Sequence, residues 1–213
     1  DWSSDVCSSD LAANIAVFVY QATLPTRAAA EALVADFGLV PAEVTHAHSP
    51  LTYRTVFSSM FLHAGILHLA GNMLYLWIFG NNVEDSVGHG RFLFFYALCG
   101  IAAAAAQIAV NPDSDIPMIG ASGAVSGVLG AYLLLFPRAR VLVLVPIWVF
   151  LKIVAVPAWL VLVVWFGLQL LSGTAILGKG FSGGVAFWAH IGGFVAGMIL
   201  IPVFKKRAIR LGQ

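Results

Sequence analysis

Ser122 and His190 are the residues of this chain best suited to covalent chemistry. Ser122 lies in Gly120-Ala121-Ser122-Gly123, and His190 in Ala189-His190-Ile191-Gly192-Gly193. A histidine beside a hydroxyl is the minimum apparatus for making that hydroxyl a nucleophile. A second pair, His68 and Asn72, stands at i and i+4, so one helix face carries both. Side-chain amides and backbone N–H groups are the donors that hold the oxyanion in acyl transfer. His63 lies just upstream. On spacing alone other readings stay open. Gly-Ala-Ser-Gly suits close helix packing through small residues. His190 suits a hydrogen bond to a neighbouring helix, or a haem or metal site shared with His63 and His68. A metal would want more inward-facing carboxylates or histidines, and Glu84 and Asp85 sit at the far end of the helix from His68.

The elements that carry these residues are apolar. Of 213 residues, 60% are hydrophobic and 10% charged, and the mean hydropathy is +0.91. A soluble domain carries about 25% charged residues. An ordinary soluble enzyme, a disordered chain and a basic nucleic-acid binder are therefore excluded, and lipid is the expected solvent. Cys7 and Cys99 do not make a disulfide framework.

Six apolar runs follow along the chain: 11–24, 67–83, 92–110, 119–136, 153–171 and 185–204. The first has 14 residues, short of the roughly 20 that span a bilayer, so the first helix reads as truncated. Residues 1–10, acidic and serine-rich, read as a non-native or disordered leader rather than a signal peptide. The membrane domain then covers 11–204, and 205–213 form a basic tail. The mixed stretch 25–61 is a long connection at the membrane surface, of the kind that is often functional. The apolar stretch 141–150 reads as a connection in the interface, and Pro157 as part of the first turn of the fifth helix.

Charge placement orients the runs. Arg91 follows the second, Arg138 and Arg140 the fourth, and Lys205, Lys206, Arg207 and Arg210 the sixth. Lys and Arg concentrate on the cytoplasmic side. Both termini are then cytoplasmic, and the second, fourth and sixth helices all start in the outer leaflet. His68, Asn72, Ser122 and His190 sit near those starts, at one depth. Asn72 stands about 6 Å below His68. Polar groups inside a span are costly and mark function, and Gln107 and Gln169 are two more. Gly193 and Gly197 would let the sixth helix approach the glycine-rich fourth, bringing His190 to Ser122.

Together, Gly120-Ala121-Ser122-Gly123, Ala189-His190-x-x-Gly193-x-x-x-Gly197 and His63-x-x-x-x-His68-x-x-x-Asn72 resemble the rhomboid intramembrane serine proteases, over roughly residues 50–204. The resemblance implies an all-α bundle of six transmembrane helices. It implies Ser122 as nucleophile and His190 as general base, a dyad without an acid. The oxyanion hole would be His68, Asn72 and the Ser122 N–H. His63 would support the first loop, and Gly120, Gly123, Gly193 and Gly197 the packing. No cofactor or metal is implied. The partners would be transmembrane substrates and the bilayer, and the location a bacterial inner membrane. A non-catalytic relative that binds transmembrane clients is the main alternative. The chain departs from many members in two ways. Ser126 stands where they carry an aromatic four residues after the serine, stacked on the histidine. Tyr53-Arg54 is the nearest approach to a Trp-Arg pair in the first loop.

Overall fold

The computed structural model of the protein describes residues 6–46, 49–147, 150–175, 177 and 184–212. Helix α1 covers Val6–Thr23, so Val6 to Asp10 are helical and continuous with the first apolar run. Residues 1–5 of the expected leader lie outside the described residues. The early start has a local cause. The buried Glu84 carboxylate accepts the Val6 and Cys7 N–H groups at 2.7 and 2.8 Å, capping the positive end of the helix.

The long connection is folded. It forms α2 (Arg27–Phe37), α3 (Pro41–His46), α4 (Pro50–Tyr53), α5 (Thr55–Ser58) and a 3₁₀ turn, Ser59–Phe61. Thr26 caps α2 by accepting the Ala29 N–H. Leu39 and Met118 exchange N–H···O bonds of 3.1 and 2.7 Å, and the Ser59 carbonyl accepts the Gly120 N–H at 2.9 Å. The connection thereby fixes the segment that leads into Ser122.

The second apolar run becomes α6 (Ile66–Tyr75), a π-helical turn (Leu76–Gly80) and α7 (Asn81–Val87). Then come α8 (His89–Val110), α9 (Ser122–Leu135), α10 (Ala158–Ala175) and α11 (Phe187–Phe204). Between α9 and α10 stands an antiparallel hairpin of β1 (Arg140–Ile147) and β2 (Phe150–Pro157), with Arg140 opposite Pro157. The fold is mostly helical, as expected, and this hairpin is its one departure among the described residues. The hairpin takes Ile153–Pro157 from the expected fifth helix, and Pro157 closes a strand instead of opening that helix. Val and Ile crowd this stretch, and such residues favour strands. Helix α10 is anchored at its start by Ala158 and Trp159 N–H groups, bonded to the Ala139 and Pro137 carbonyls at 2.8 and 3.0 Å.

Among the described residues, α8, α10 and α11 are long and apolar enough to cross a membrane. A fourth crossing results if Pro50–Phe61 and Ile66–Val87, bent by 82°, count as one. Length and composition alone thus mark three or four of the six expected crossings. Helix α9 has 14 residues, which rise about 21 Å. Helix α1 carries Asp10, Asn14 and Gln21 among its apolar residues.

Helices α8, α9 and α11 make the centre of the bundle. Glycine allows it. A Cβ on Gly193 would collide with the Gly123 carbonyl, and one on Gly197 with the Gly127 carbonyl. A Cβ on Gly123 would stand 2.6 Å from that of Ala103. The faces expected to meet do meet, and backbone touches backbone.

Candidate active site

His68, Ser122 and His190 all lie in the first turn of their helices, and Asn72 one turn deeper. The four line one cavity of about 670 Å³. On its lining the Ser122 Oγ stands 2.8 Å from the His190 Nε2. His190 is buried, 9% exposed. The buried Gln107 amide oxygen accepts the Ala189 N–H at 3.3 Å, tying the start of α11 to α8 beside the histidine.

Gly120 precedes this pair in a turn that strongly favours glycine. Its φ is +118°, a region L side chains rarely enter. A Cβ there would also lie 2.7 Å from the His68 ring. The turn opens α9 at Ser122, where backbone N–H groups have no partner within the helix and the helix dipole is positive.

His68 and Asn72 present donors to the same space. The Ala64 N–H donates to His68 Nδ1 at 3.3 Å. That nitrogen is therefore the acceptor, and in the neutral ring the proton sits on Nε2. Nε2 is the atom beside Gly120, 2.8 Å from where a Cβ would be. Among the described residues the buried Asn72 Nδ2 has no hydrogen-bond partner. A buried donor without an acceptor is costly and asks for a ligand atom or a water. His63 lies behind. Its ring meets that of His68 edge to face at 5.1 Å. Its backbone N–H donates to Gln21 Oε1 at 3.1 Å, and its Nδ1 bonds the Phe61 carbonyl at 3.2 Å. His63 thus holds the turn between the 3₁₀ segment and α6.

Ser126 is buried and donates to the Ser122 carbonyl at 2.6 Å, within its own helix. The ring contact it cannot make comes from α10. Trp165 lies 6.0 Å from the His190 ring, tilted by 33°. Gln169, one turn further, bonds His190 Nδ1 at 2.8 Å. Sequence reasoning singled out Gln169 as costly in lipid but gave it no place, and it passed over Trp165. Their i, i+4 spacing, a polar residue and a ring on one face of an apolar helix, was the available signal. Among the described residues, no group of three or more His, Cys, Asp or Glu side chains could hold a metal ion.

Long apolar helices around a cavity that gathers a few polar side chains define a multi-pass integral membrane protein. Within that class the chain belongs to the rhomboid family: the family's Rhomboid domain matches residues 50–207. The rhomboid protease GluP of Bacillus subtilis (strain 168) is 49% identical over 72 residues, 34% of this chain and 14% of that protein. The mitochondrial rhomboid protein 1 of Saccharomyces cerevisiae is 35% identical over 95 residues, 43% of this chain and 28% of its own. The putative rhomboid protease YdcA of Bacillus subtilis (strain 168) is 38% identical over 74 residues, 35% and 37% of the two chains. The matched part of this chain spans well under half the length of each.

Proposed function

We propose that this chain is an intramembrane serine endopeptidase that hydrolyses peptide bonds in or next to transmembrane helices. The observation that carries the reading is the 2.8 Å approach of Ser122 Oγ to His190 Nε2 in a cavity also lined by His68 and Asn72. Ser122 attacks the scissile carbonyl while His190 takes its proton. The oxyanion rests on His68 Nε2–H, Asn72 Nδ2–H and the Ser122 N–H. His190 then gives its proton to the leaving amine. Water enters, His190 takes a proton from it, and the acyl-enzyme is hydrolysed.

The surroundings fit this chemistry. In the proposed topology the bundle crosses a bacterial inner membrane six times, with both termini cytoplasmic. The polar starts of α6, α9 and α11 then open to water from the outer leaflet. A helical substrate shields its peptide bonds in its own hydrogen bonds, so substrates with helix-breaking residues near the cut are expected. Lateral entry beside α10 suits its bulky lipid-facing surface, which includes Trp159, Val163 and Leu168.

The test is purified protein in detergent, given a transmembrane substrate and a serine-reactive fluorophosphonate. Wild type should cleave and label. Ser122→Ala should do neither, and His190→Ala should label at least about 100-fold more slowly. Cleavage retained in Ser122→Ala overturns the nucleophile. Wild-type labelling in His190→Ala overturns the base.

A further inference from the structure

Gln169 has no part in the chemistry above, yet it sits in an apolar helix where an amide needs a partner. Its Oε1 lies 2.8 Å from His190 Nδ1, while His190 Nε2 lies 2.8 Å from Ser122 Oγ. A neutral imidazole carries one N–H and one lone pair. The amide oxygen can only accept, so Nδ1 must carry the proton. The lone pair on Nε2 then faces the Ser122 hydroxyl. This is the tautomer a general base needs, and the hydrogen bond at the other nitrogen sets it.

We propose that Gln169 is a positioning residue, which fixes the tautomer and ring plane of His190 from α10. The proposal rests on the reading of Ser122 and His190 as the dyad. An amide is well suited to the place. It accepts from Nδ1 whether the ring is neutral or has just taken the Ser122 proton. It also brings no second charge into the low-dielectric interior, where an unpaired carboxylate is expensive. Trp165, four residues earlier on α10, covers the same ring at 6.0 Å. One helix therefore holds His190 by both edge and face. Ser126 on α9 does neither, because its hydroxyl is committed to the Ser122 carbonyl.

The experiment reads tautomer and reactivity separately. Protein with ¹⁵N-labelled histidine in detergent micelles gives the ring-nitrogen shifts, with the His190 signals assigned by their loss in His190→Ala. Wild type should have a protonated Nδ1 and a bare Nε2. Gln169→Leu should lose that pattern and label with fluorophosphonate about 10-fold to 100-fold more slowly. Gln169→Glu keeps an acceptor oxygen in either protonation state and should restore both. An unchanged tautomer in Gln169→Leu overturns the proposal. So does equal loss of labelling in both variants with a lowered melting temperature, the outcome for a side chain that only packs. If wild type does not label while its tautomer responds to Gln169, positioning stands and the dyad reading fails.

Discussion

Asn72 isolates what the site can be asked to do. Its Nδ2 is buried and finds no hydrogen-bond partner among the described residues. A charge that develops only in the transition state would supply the missing acceptor. Asn72→Ala should therefore lower kcat about 100-fold to 1000-fold with little change in KM. Steady-state cleavage of a transmembrane substrate checks this, and an unchanged kcat would remove Asn72 from the oxyanion hole. Residues of this kind were legible in the sequence because lipid makes polarity conspicuous. Ser122, His190, His68 and Asn72 stood out against apolar neighbours, and charge placement put them at one depth. Trp165 and Gln169 were harder. Which face a helix turns to its neighbours depends on packing, and an aromatic ring in an apolar helix carries no signal of its own.

At the level of elements, the distance between Ser122 and His190 is set by backbone contact between α9 and α11. Gly197 meets the Gly127 carbonyl, and Gly193 meets that of Gly123. Backbone cannot yield as a flexible side chain can, so a single methyl must push the helices apart. Gly197→Ala should cost about 1–3 kcal/mol, the range for overpacking a tight core, and should slow Ser122 labelling. Gly167→Ala is the control, because a Cβ there meets nothing within 4 Å on α10. It should be neutral or stabilise by up to about 1 kcal/mol. Thermal unfolding in one detergent compares them, and equal melting temperatures would mean that the glycine contact does not limit packing. The glycine spacing made this interface readable beforehand. The hairpin was not readable, since periodicity cannot separate a short apolar strand from a buried helix end. The run of Val and Ile from Val141 to Val156, bracketed by prolines, was the clue that composition offered and hydropathy hid.

Across the whole molecule, Arg91, Lys205, Lys206, Arg207 and Arg210 gather at one end. The Lys206 N–H bonds the Ser86 carbonyl and its Nζ the Asp85 carbonyl, both at 2.8 Å, while Arg91 reaches the Val203 carbonyl at 3.3 Å. The Gly212 N–H bonds the Leu134 carbonyl at 2.8 Å. The ends of α7, α9 and α11 and the start of α8 are thereby tied together at the basic end. The cavity with Ser122 opens among the opposite ends of α6, α9 and α11, next to the loop that bears Asp113 and Asp115. His46, from the folded connection, pairs with Asp113 there at 2.9 Å. An excess of Lys and Arg marks the cytoplasmic face, so the dyad should face the outside. Single cysteines at exposed positions test this, in a background with Cys7 and Cys99 replaced by Ala. Asp115→Cys should react with a membrane-impermeant maleimide in intact cells. Arg207→Cys should react only after the membrane is permeabilised. Reversed labelling would turn the bundle over and put the proposed site on the cytoplasmic side. Labelling of both in intact cells would break the link between basic residues and the sheltered face on which the six-crossing topology rests.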